Sequence, residues 1–598
     1  VTTFEPLVGV DKTDVSRLSL SKIFLILYST AFVLCMLDLV DGLLYLGDID
    51  DSMRASQIRA FMLPGGRWWD LTLPSINLPQ PYVSPWSRLV DLPYILLASA
   101  LKPLIGQEIA FSLAFNIWPP VLLAVYCFFA ASVCRRFAPP SSLIGILLLV
   151  ATSILMVLSI WEFAPGRIDH HNVQLVALSA VFAGLSRWDR CGGVLIGTGS
   201  VVSVAVALEG IPFVAMAFAS LFICVLARDR LALLVLHAAS LSMLVLTLPL
   251  AFVLIGPAGI KSTQCDAFSA PYILLLVGCA TILGGLSPLV ARHKGWLVPM
   301  LLSGAAFIML FICLFPDCLS GPYWMIDPVS KNYWFDRIPQ EASSLYFIQE
   351  SQFNNIAFEA LMAAVLILSA PPVFREFKAG RNALLAMWGF AALSLLLTVF
   401  MGRYLRFAFA FIPLLLPVAM SYSRNACFQY SRFANLGVMI STGFVLAVIV
   451  LAVAVAPRRE VILDAATFMS FDACKRASFG ALSTVPAGKI VAPEGLAMTL
   501  LPSLPSGFSV AAVPFHRASP GMKRVFEAFL SSDPAIRLAA LAPFDYVAAC
   551  RFPIKPDIGT APLYDALSAG QDWPGLIRLP TGADNPFQLF RIDHATLQ

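Results

Sequence analysis

The stretch Leu92-Pro-Tyr-Ile-Leu-Leu-Ala-Ser-Ala-Leu-Lys-Pro-Leu-Ile105 decides how the whole chain is threaded. It is apolar, but it falls short of the about twenty residues that a helix needs to cross hydrocarbon. Pro93 and Pro103 interrupt it, and Arg88 and Asp91 precede it. These features suit a helix lying at the membrane surface over about 86 to 104, beginning Trp86-Ser87-Arg88.

Longer apolar runs surround it, at 23 to 40, 109 to 133, 143 to 161, 172 to 186, 192 to 208, 211 to 227, 231 to 255, 271 to 290, 296 to 315, 354 to 372, 383 to 401, 404 to 421 and 434 to 456. They predict about thirteen membrane-spanning helices. With the N-terminus inside, the predicted inner loops carry Arg135-Arg136, Arg187 with Arg190, Arg228 with Arg230, Arg292 with His293 and Lys294, Arg375 with Lys378 and Arg381, and Arg424 with Arg432. Every one is basic, as the positive-inside rule requires. Counting 92 to 105 as a span would invert them all.

The opposite side, the periplasm of a bacterium, then receives the segments 41 to 108, 162 to 171 and 316 to 353 and a tail from 457 to 598. We therefore expect a membrane all-α bundle over 1 to 456 and a small C-terminal periplasmic α/β domain over 457 to 598, in a bacterial inner membrane. In the tail, short apolar strands such as Lys489-Ile-Val-Ala492, Ser509-Val-Ala-Ala-Val513 and Tyr546-Val-Ala-Ala549 alternate with helical stretches such as Gly521 to Leu530. The first apolar run has no small-residue cleavage site behind it and is expected to be a retained span.

Composition agrees. The chain is 59% hydrophobic and only 13% charged, against roughly 25% charged in soluble proteins. A net charge of +4, with basic residues in ones and twos between apolar runs, does not make a nucleic-acid surface. Continuous apolar runs exclude disorder and an outer-membrane barrel. Of the twelve cysteines, most lie in or beside apolar runs, and no Cys-x-x-Cys pair suggests a zinc or iron-sulfur site. Cys474 and Cys550, both in the tail, could pair in an oxidising compartment or stay free.

The acids carry the functional signal. Gly47-Asp48-Ile49-Asp50-Asp51-Ser52-Met53-Arg54 follows the first run, with three acids in four residues. Such a cluster is costly unless solvated or metal-bound, and alone it also fits a polar loop. A second cluster closes the third run: Glu162-Phe-Ala-Pro-Gly166-Arg167-Ile168-Asp169-His170-His171-Asn172. Pro165-Gly166 forces a turn, so Asp169 and His171 are expected to project from a non-helical segment on one side, as two ligands of one metal do. Hard oxygens with one imidazole favour magnesium or manganese over calcium, manganese best. Both clusters fall on the same face of the membrane.

With these residues in place, the chain resembles the C-type (GT-C) glycosyltransferases, and within them the catalytic subunit of oligosaccharyltransferase. That family has thirteen spans, an inside N-terminus, an acidic motif after span one, a Gly-x-x-Asp-x-Asp/Glu motif after span three, and an outer C-terminal domain. Its first aspartate falls on Asp50, with Asp51 a close alternative, and a recurring arginine falls on Arg59. The second motif falls on Gly166, Asp169 and His171, the family's second acid being histidine here. An arginine early in the twelfth span matches Arg406 in Gly402-Arg403-Tyr404-Leu405-Arg406-Phe407-Ala408, with Pro413 beyond. A mobile glutamate of the family's long outer loop matches Glu341 in Arg337-Ile-Pro-Gln-Glu341. The resemblance covers about residues 20 to 456.

The resemblance implies an enzyme that moves a sugar from a polyprenyl phosphate or diphosphate to an acceptor outside the membrane. A divalent cation, manganese or magnesium, would sit on Asp50, Asp169 and His171. Arg406, with Arg403, His170 and Arg59, would face the phosphate. Asp51 or Asp48 would take a proton from the acceptor, and Asp50 and Glu341 complete the catalytic set. Oligosaccharyltransferases recognise their asparagine acceptor with a Trp-Trp-Asp motif beyond the last span. The tail has none; Trp68-Trp69-Asp70 lies in the first outer loop, so the acceptor is left open between glycan, lipid and protein. A metal-independent enzyme using a polyprenyl-monophosphate sugar, and a transporter or flippase of lipid-linked sugars, are the alternatives. A transporter's polar residues belong at mid-membrane.

Overall fold

The computed structural model describes residues 17–37, 48–77, 79–349, 352–420, 474, 477–551, 561–582 and 584–597. The expected last span, 434 to 456, lies outside them, as do Arg424 and Arg432. The chain forms two compact units, one of residues 1–51, 86–321 and 342–457, the other of 52–85, 322–341 and 458–598.

The first unit is helical, and its apolar helices mark a multi-pass membrane protein. Its opening helices are α1 (Leu20–Leu37), α2 (Ile49–Met62, which runs on into the second unit), α3 (Arg88–Ile105), α4 (Gln107–Arg135), α5 (Leu143–Leu155), α6 (Val157–Ile160), α7 (His170–Arg187) and α8 (Arg190–Val206). Among the described residues nine helices are long and apolar enough to cross a membrane, or ten if Leu143–Leu155 and Val157–Phe163, bent by 62°, count as one. The stretch 92 to 105 belongs to α3, which is not one of the nine. One side of α3 buries Val90, Tyr94 and Ala98, while Leu96 and Leu104 are exposed.

Two expected spans are helices of a different kind. The run 172 to 186 forms α7, which buries Asn172, Gln174, Ser179 and Ser186 beside its apolar residues. The run 192 to 208 forms α8, only 17 residues long. They pack backbone against backbone: a Cβ on Gly184 would stand 2.5 Å from the Gly192 carbonyl, and one on Gly192 would meet the Gly184 carbonyl at 2.5 Å. Helices joined through small residues can forgo some apolar surface.

Phenylalanines anchor the half of α7 away from the motif. Phe182 lies 5.3 Å, centroid to centroid, from Phe411, and Phe213 lies 5.2 Å from both Phe390 and Phe407. They knit α7 to the helices Ile211–Leu226, Ala383–Phe400 and Leu405–Phe411, all of which bury these rings. In the same unit Cys265 and Cys318 form a disulfide with a Cα separation of 5.0 Å. Both lie outside the apolar runs, in segments that the charge pattern assigns to one face.

The second unit contains a seven-stranded mixed sheet: β1 (Thr72–Asn77), β2 (Pro81–Val83), β3 (Lys489–Val491), β4 (Ser509–Val510), β5 (Tyr546–Cys550), β6 (Leu576–Leu579) and β7 (Phe587–Ile592), in the order β2-β1-β4-β3-β5-β7-β6. The three strands expected in the tail are β3, β4 and β5, mutually parallel, and the expected helix runs Ser519–Leu530. The hairpin β1-β2 lies between α2 and α3 in the sequence and joins the tail strands by a parallel pairing of Ile76 with Val510. Cys474 and Cys550 are bonded, which settles the open pairing. Asp327 secures a further segment of this unit, 322 to 341: its carboxylate caps the helix Pro328–Tyr333 and accepts the Ser519 hydroxyl at 2.6 Å.

Candidate active site

Ala164-Pro165-Gly166-Arg167 is a tight turn. Arg167 donates its N–H to the Ala164 carbonyl at 3.0 Å, proline presets its φ, and Gly166 takes the φ of +85° that other residues resist. The turn is fixed to α4 by the Gly166 N–H, which donates to Phe115 at 3.1 Å. It delivers Asp169 as the residue that caps α7. His171 is therefore not on a non-helical segment, as expected, but in the first turn of α7; burial of the polar α7 face extends the helix up to the motif.

The first acidic cluster divides its labour. Asp48 caps α2, accepting the N–H groups of Asp50 at 3.0 Å and Asp51 at 3.1 Å on one oxygen and pairing with Arg167 through the other. Asp51, fully buried, accepts the backbone N–H groups of Ile168 (2.7 Å) and Asp169 (2.9 Å) on Oδ1. Its Oδ2 accepts from Arg167 at 2.9 Å and from the Asp48 N–H at 3.1 Å. Asp50 alone has no side-chain hydrogen bond among the described residues. Burial, then the charge of Asp169, then those of Asp48 and Asp51, push its pKa well above the usual carboxylate range. A carboxylate so placed gains from a cation.

The second cluster gathers the donors. Ligand atoms of Asp169, His170 and His171 lie within 4.8 Å of one another. Asp169 Oδ2 is 3.2 Å from His171 Nε2, the spacing of neighbouring ligands on one ion. The two imidazoles lie 4.1 Å apart, centroid to centroid, with Trp86 6.0 Å from His170. Carboxylate and imidazole donors on a rigid helix start fit a divalent transition metal.

Cationic groups border this cluster. Glu162 pairs with Arg167 at 2.7 Å and with Arg406 at 3.2 Å, so one carboxylate ties the second motif to the arginine of the late span. Burial works against the charge on Arg167, but Glu162, Asp51 and Asp48 together raise its pKa well above the usual value. Arg406 Nε donates to the Arg403 carbonyl at 3.1 Å, and Arg403 pairs with Glu209 at 2.6 Å.

Arg59, in the last turn of α2, and Glu341, ending the short turn Pro339–Glu341, belong to the second unit. Glu162 and Arg167 stand in the second cluster with no role legible in the sequence, and Glu209 is not among the residues the motifs single out. The signal for Glu209 was its place: an acid in the brief break between the runs 192 to 208 and 211 to 227, on the same predicted face as both motifs.

No family profile and no curated protein sequence matches the chain. Solved structures do. The archaeal oligosaccharyltransferase AglB of Archaeoglobus fulgidus, in complex with an inhibitory peptide and a dolichol-phosphate, aligns at a TM-score of 0.66 and 13% identity over 96% of this chain and 74% of its own. The Archaeoglobus fulgidus oligosaccharyltransferase in the apo form aligns at 0.62 and 13% identity, over 89% and 69%. The same protein in complex with Zn and sulfate aligns at 0.59 and 13% identity, over 96% and 73%. The chain shares the oligosaccharyltransferase fold.

Proposed function

We propose that this protein is a membrane glycosyltransferase that moves a sugar from a polyprenyl phosphate or diphosphate to an acceptor at the outer membrane face. The observation that carries the reading is the carboxylate and imidazole cluster of Asp169, His170 and His171, with the Asp50 carboxylate in electrostatic reach of Asp169, bordered by Arg406 and Arg403. The fold neighbour bound with a dolichol-phosphate supports a lipid-linked donor, and the one in complex with Zn supports a metal. Asp50, Asp169 and His171 would hold a divalent cation, manganese or magnesium. Bound there, the cation would offset the negative charge that develops on a leaving phosphate.

The chain's own groups do the rest. Arg406, held by Glu162, presents a planar donor fork to phosphate oxygens, which a bidentate guanidinium suits better than an ammonium. Arg403 extends the same positive rim. Asp51 and Asp48 have their oxygens committed to Arg167 and to backbone N–H groups, so they position. Helices of the first unit would exclude water around the sugar, strengthening these interactions. The positive-inside pattern supports a site and a tail outside, in a bacterial inner membrane; reporter fusions at 136 and 188 should report cytoplasm and those at 168 and 520 periplasm. The opposite pattern would invert the scheme.

The deciding assay mixes purified protein with a panel of polyprenyl-linked sugars and a crude membrane acceptor, and measures released polyprenyl phosphate or diphosphate. Release that depends on divalent cation is expected. Release unchanged by chelation would favour a metal-independent transferase. Movement of lipid between leaflets without cleavage would favour a flippase.

A further inference from the structure

Glu209 sits in the turn Leu208–Gly210 that leads from α8 to the next helix, far in sequence from either motif. The turn is packed onto α7: Gln174 donates its side-chain amide to the Ala207 carbonyl at 3.1 Å, and a Cβ on Gly210 would stand 3.4 Å from the Gln174 amide nitrogen. Gln174 lies three positions beyond His171 on the same helix, so turn and imidazole are carried on one helix face. Glu209 uses one oxygen, Oε1, to pair with Arg403 at 2.6 Å.

The other oxygen faces His171. Oε2 lies 3.8 Å from His171 Nδ1, and both atoms are buried without a hydrogen-bond partner. A carboxylate oxygen and an imidazole nitrogen left facing each other in a buried place call for a shared proton. If the proton is on Nδ1, a slight closure of the gap makes the bond, and the lone pair of Nε2 is then directed to the side where Asp169 Oδ2 waits at 3.2 Å. Imidazoles that bind metals regularly give their second N–H to a carboxylate in this way, which fixes the tautomer and raises the basicity of the ligating nitrogen.

We infer that Glu209 is a positioning residue for the cation site, holding His171 in the Nδ1–H tautomer while Arg403 holds Glu209. This rests on the reading of Asp50, Asp169 and His171 as a cation site. It adds a physical link that neither motif contains: the arginine at the phosphate rim and the imidazole ligand share one carboxylate, so displacement of Arg403 by a bound phosphate would be felt at His171.

The test is direct binding of manganese(II) to the full-length purified protein, with free ion counted by electron paramagnetic resonance, without donor or acceptor. Wild type is expected to bind one ion tightly. Glu209→Gln keeps the shape and loses the charge, and is expected to weaken binding by about tenfold or more, the range for outer-shell partners. Glu209→Asp keeps a charge for Arg403 but withdraws it from the ring, and a loss of about threefold or more is expected. Wild-type affinity in either folded variant overturns the role of Glu209 while leaving the cation site standing. A wild type that binds no divalent ion overturns the cation site and this inference together.

Discussion

Asp51 accepts the backbone N–H of Asp169 at 2.9 Å, across 118 positions of sequence. With the Ile168 N–H on the same oxygen, the first acidic motif builds the second: it fixes the backbone from which the side chains of Asp169, His170 and His171 start.

Asp51→Ala should therefore behave as a folding lesion of the site. It would strand three backbone donors, the N–H groups of Ile168, Asp169 and Asp48, at about 1–3 kcal/mol for each buried donor left unsatisfied, and leave Arg167 to Asp48 and Glu162. Expected outcomes are loss of manganese binding and faster amide exchange across 164 to 172. Normal exchange there with activity lost would instead make Asp51 a reacting group.

Asp50→Ala, Asp169→Ala and His171→Ala should abolish product release, with the melting temperature lowered by only a few degrees, because these side chains face one another rather than the apolar core. His171→Asp should retain part of the activity, since a carboxylate can ligate from the same place. Metal titration alongside turnover separates lost ligation from lost fold. Full turnover in Asp169→Ala would remove this cluster from the chemistry.

Arg406→Lys keeps a charge but loses the paired donors and the hold of Glu162. Turnover should drop about tenfold or more, the effect of one weakened transition-state contact of about 1.4 kcal/mol, with donor binding less affected. The measurement is kcat against KM for the lipid-linked sugar. An effect confined to KM would make Arg406 a binding group only.

Glu494 gives a pH prediction for the second unit. It follows β3, it is fully buried, and burial pushes its pKa from 4.5 up to about 8. The folded state keeps a proton that the unfolded chain sheds above 4.5, so stability falls as pH rises from about 4.5 and levels off above about 8. At pH 7 the cost is about 3 kcal/mol, at about 1.4 kcal/mol for each pH unit above 4.5. Glu494→Gln should remove this slope. Hydrogen exchange over 489 to 500 in the full chain, at pH 5 and pH 8, is expected to differ less in the variant than in wild type; an equal difference would show that Glu494 does not govern it.

The helices were legible because apolar length is a local property. Every expected run within the described residues is helical, and the proline-broken 92 to 105 stretch lies in a helix outside the set of candidate spans. The turn at Pro165-Gly166 was legible for the same reason. What escaped were relationships between distant segments that no local pattern encodes. The Cys265 to Cys318 bond needed knowledge of which loops share a face. Glu209 resembles any loop acid until Arg403 and His171 are set beside it. The commitment of Asp48 and Asp51 to Arg167 could not be told from the adjacency of three acids, which in sequence look interchangeable.

The parallel pairing of Ile76 with Val510 sets a schedule for biosynthesis. At about 5–20 residues per second, β4 leaves the ribosome on the order of 20 to 90 seconds after β1. Throughout that interval the β1-β2 hairpin has an unpaired edge, while the intervening helices are still being made. A chain released before the tail is complete would keep that edge open to other strands, so quality control of this protein would have a simple mark of an unfinished copy to read.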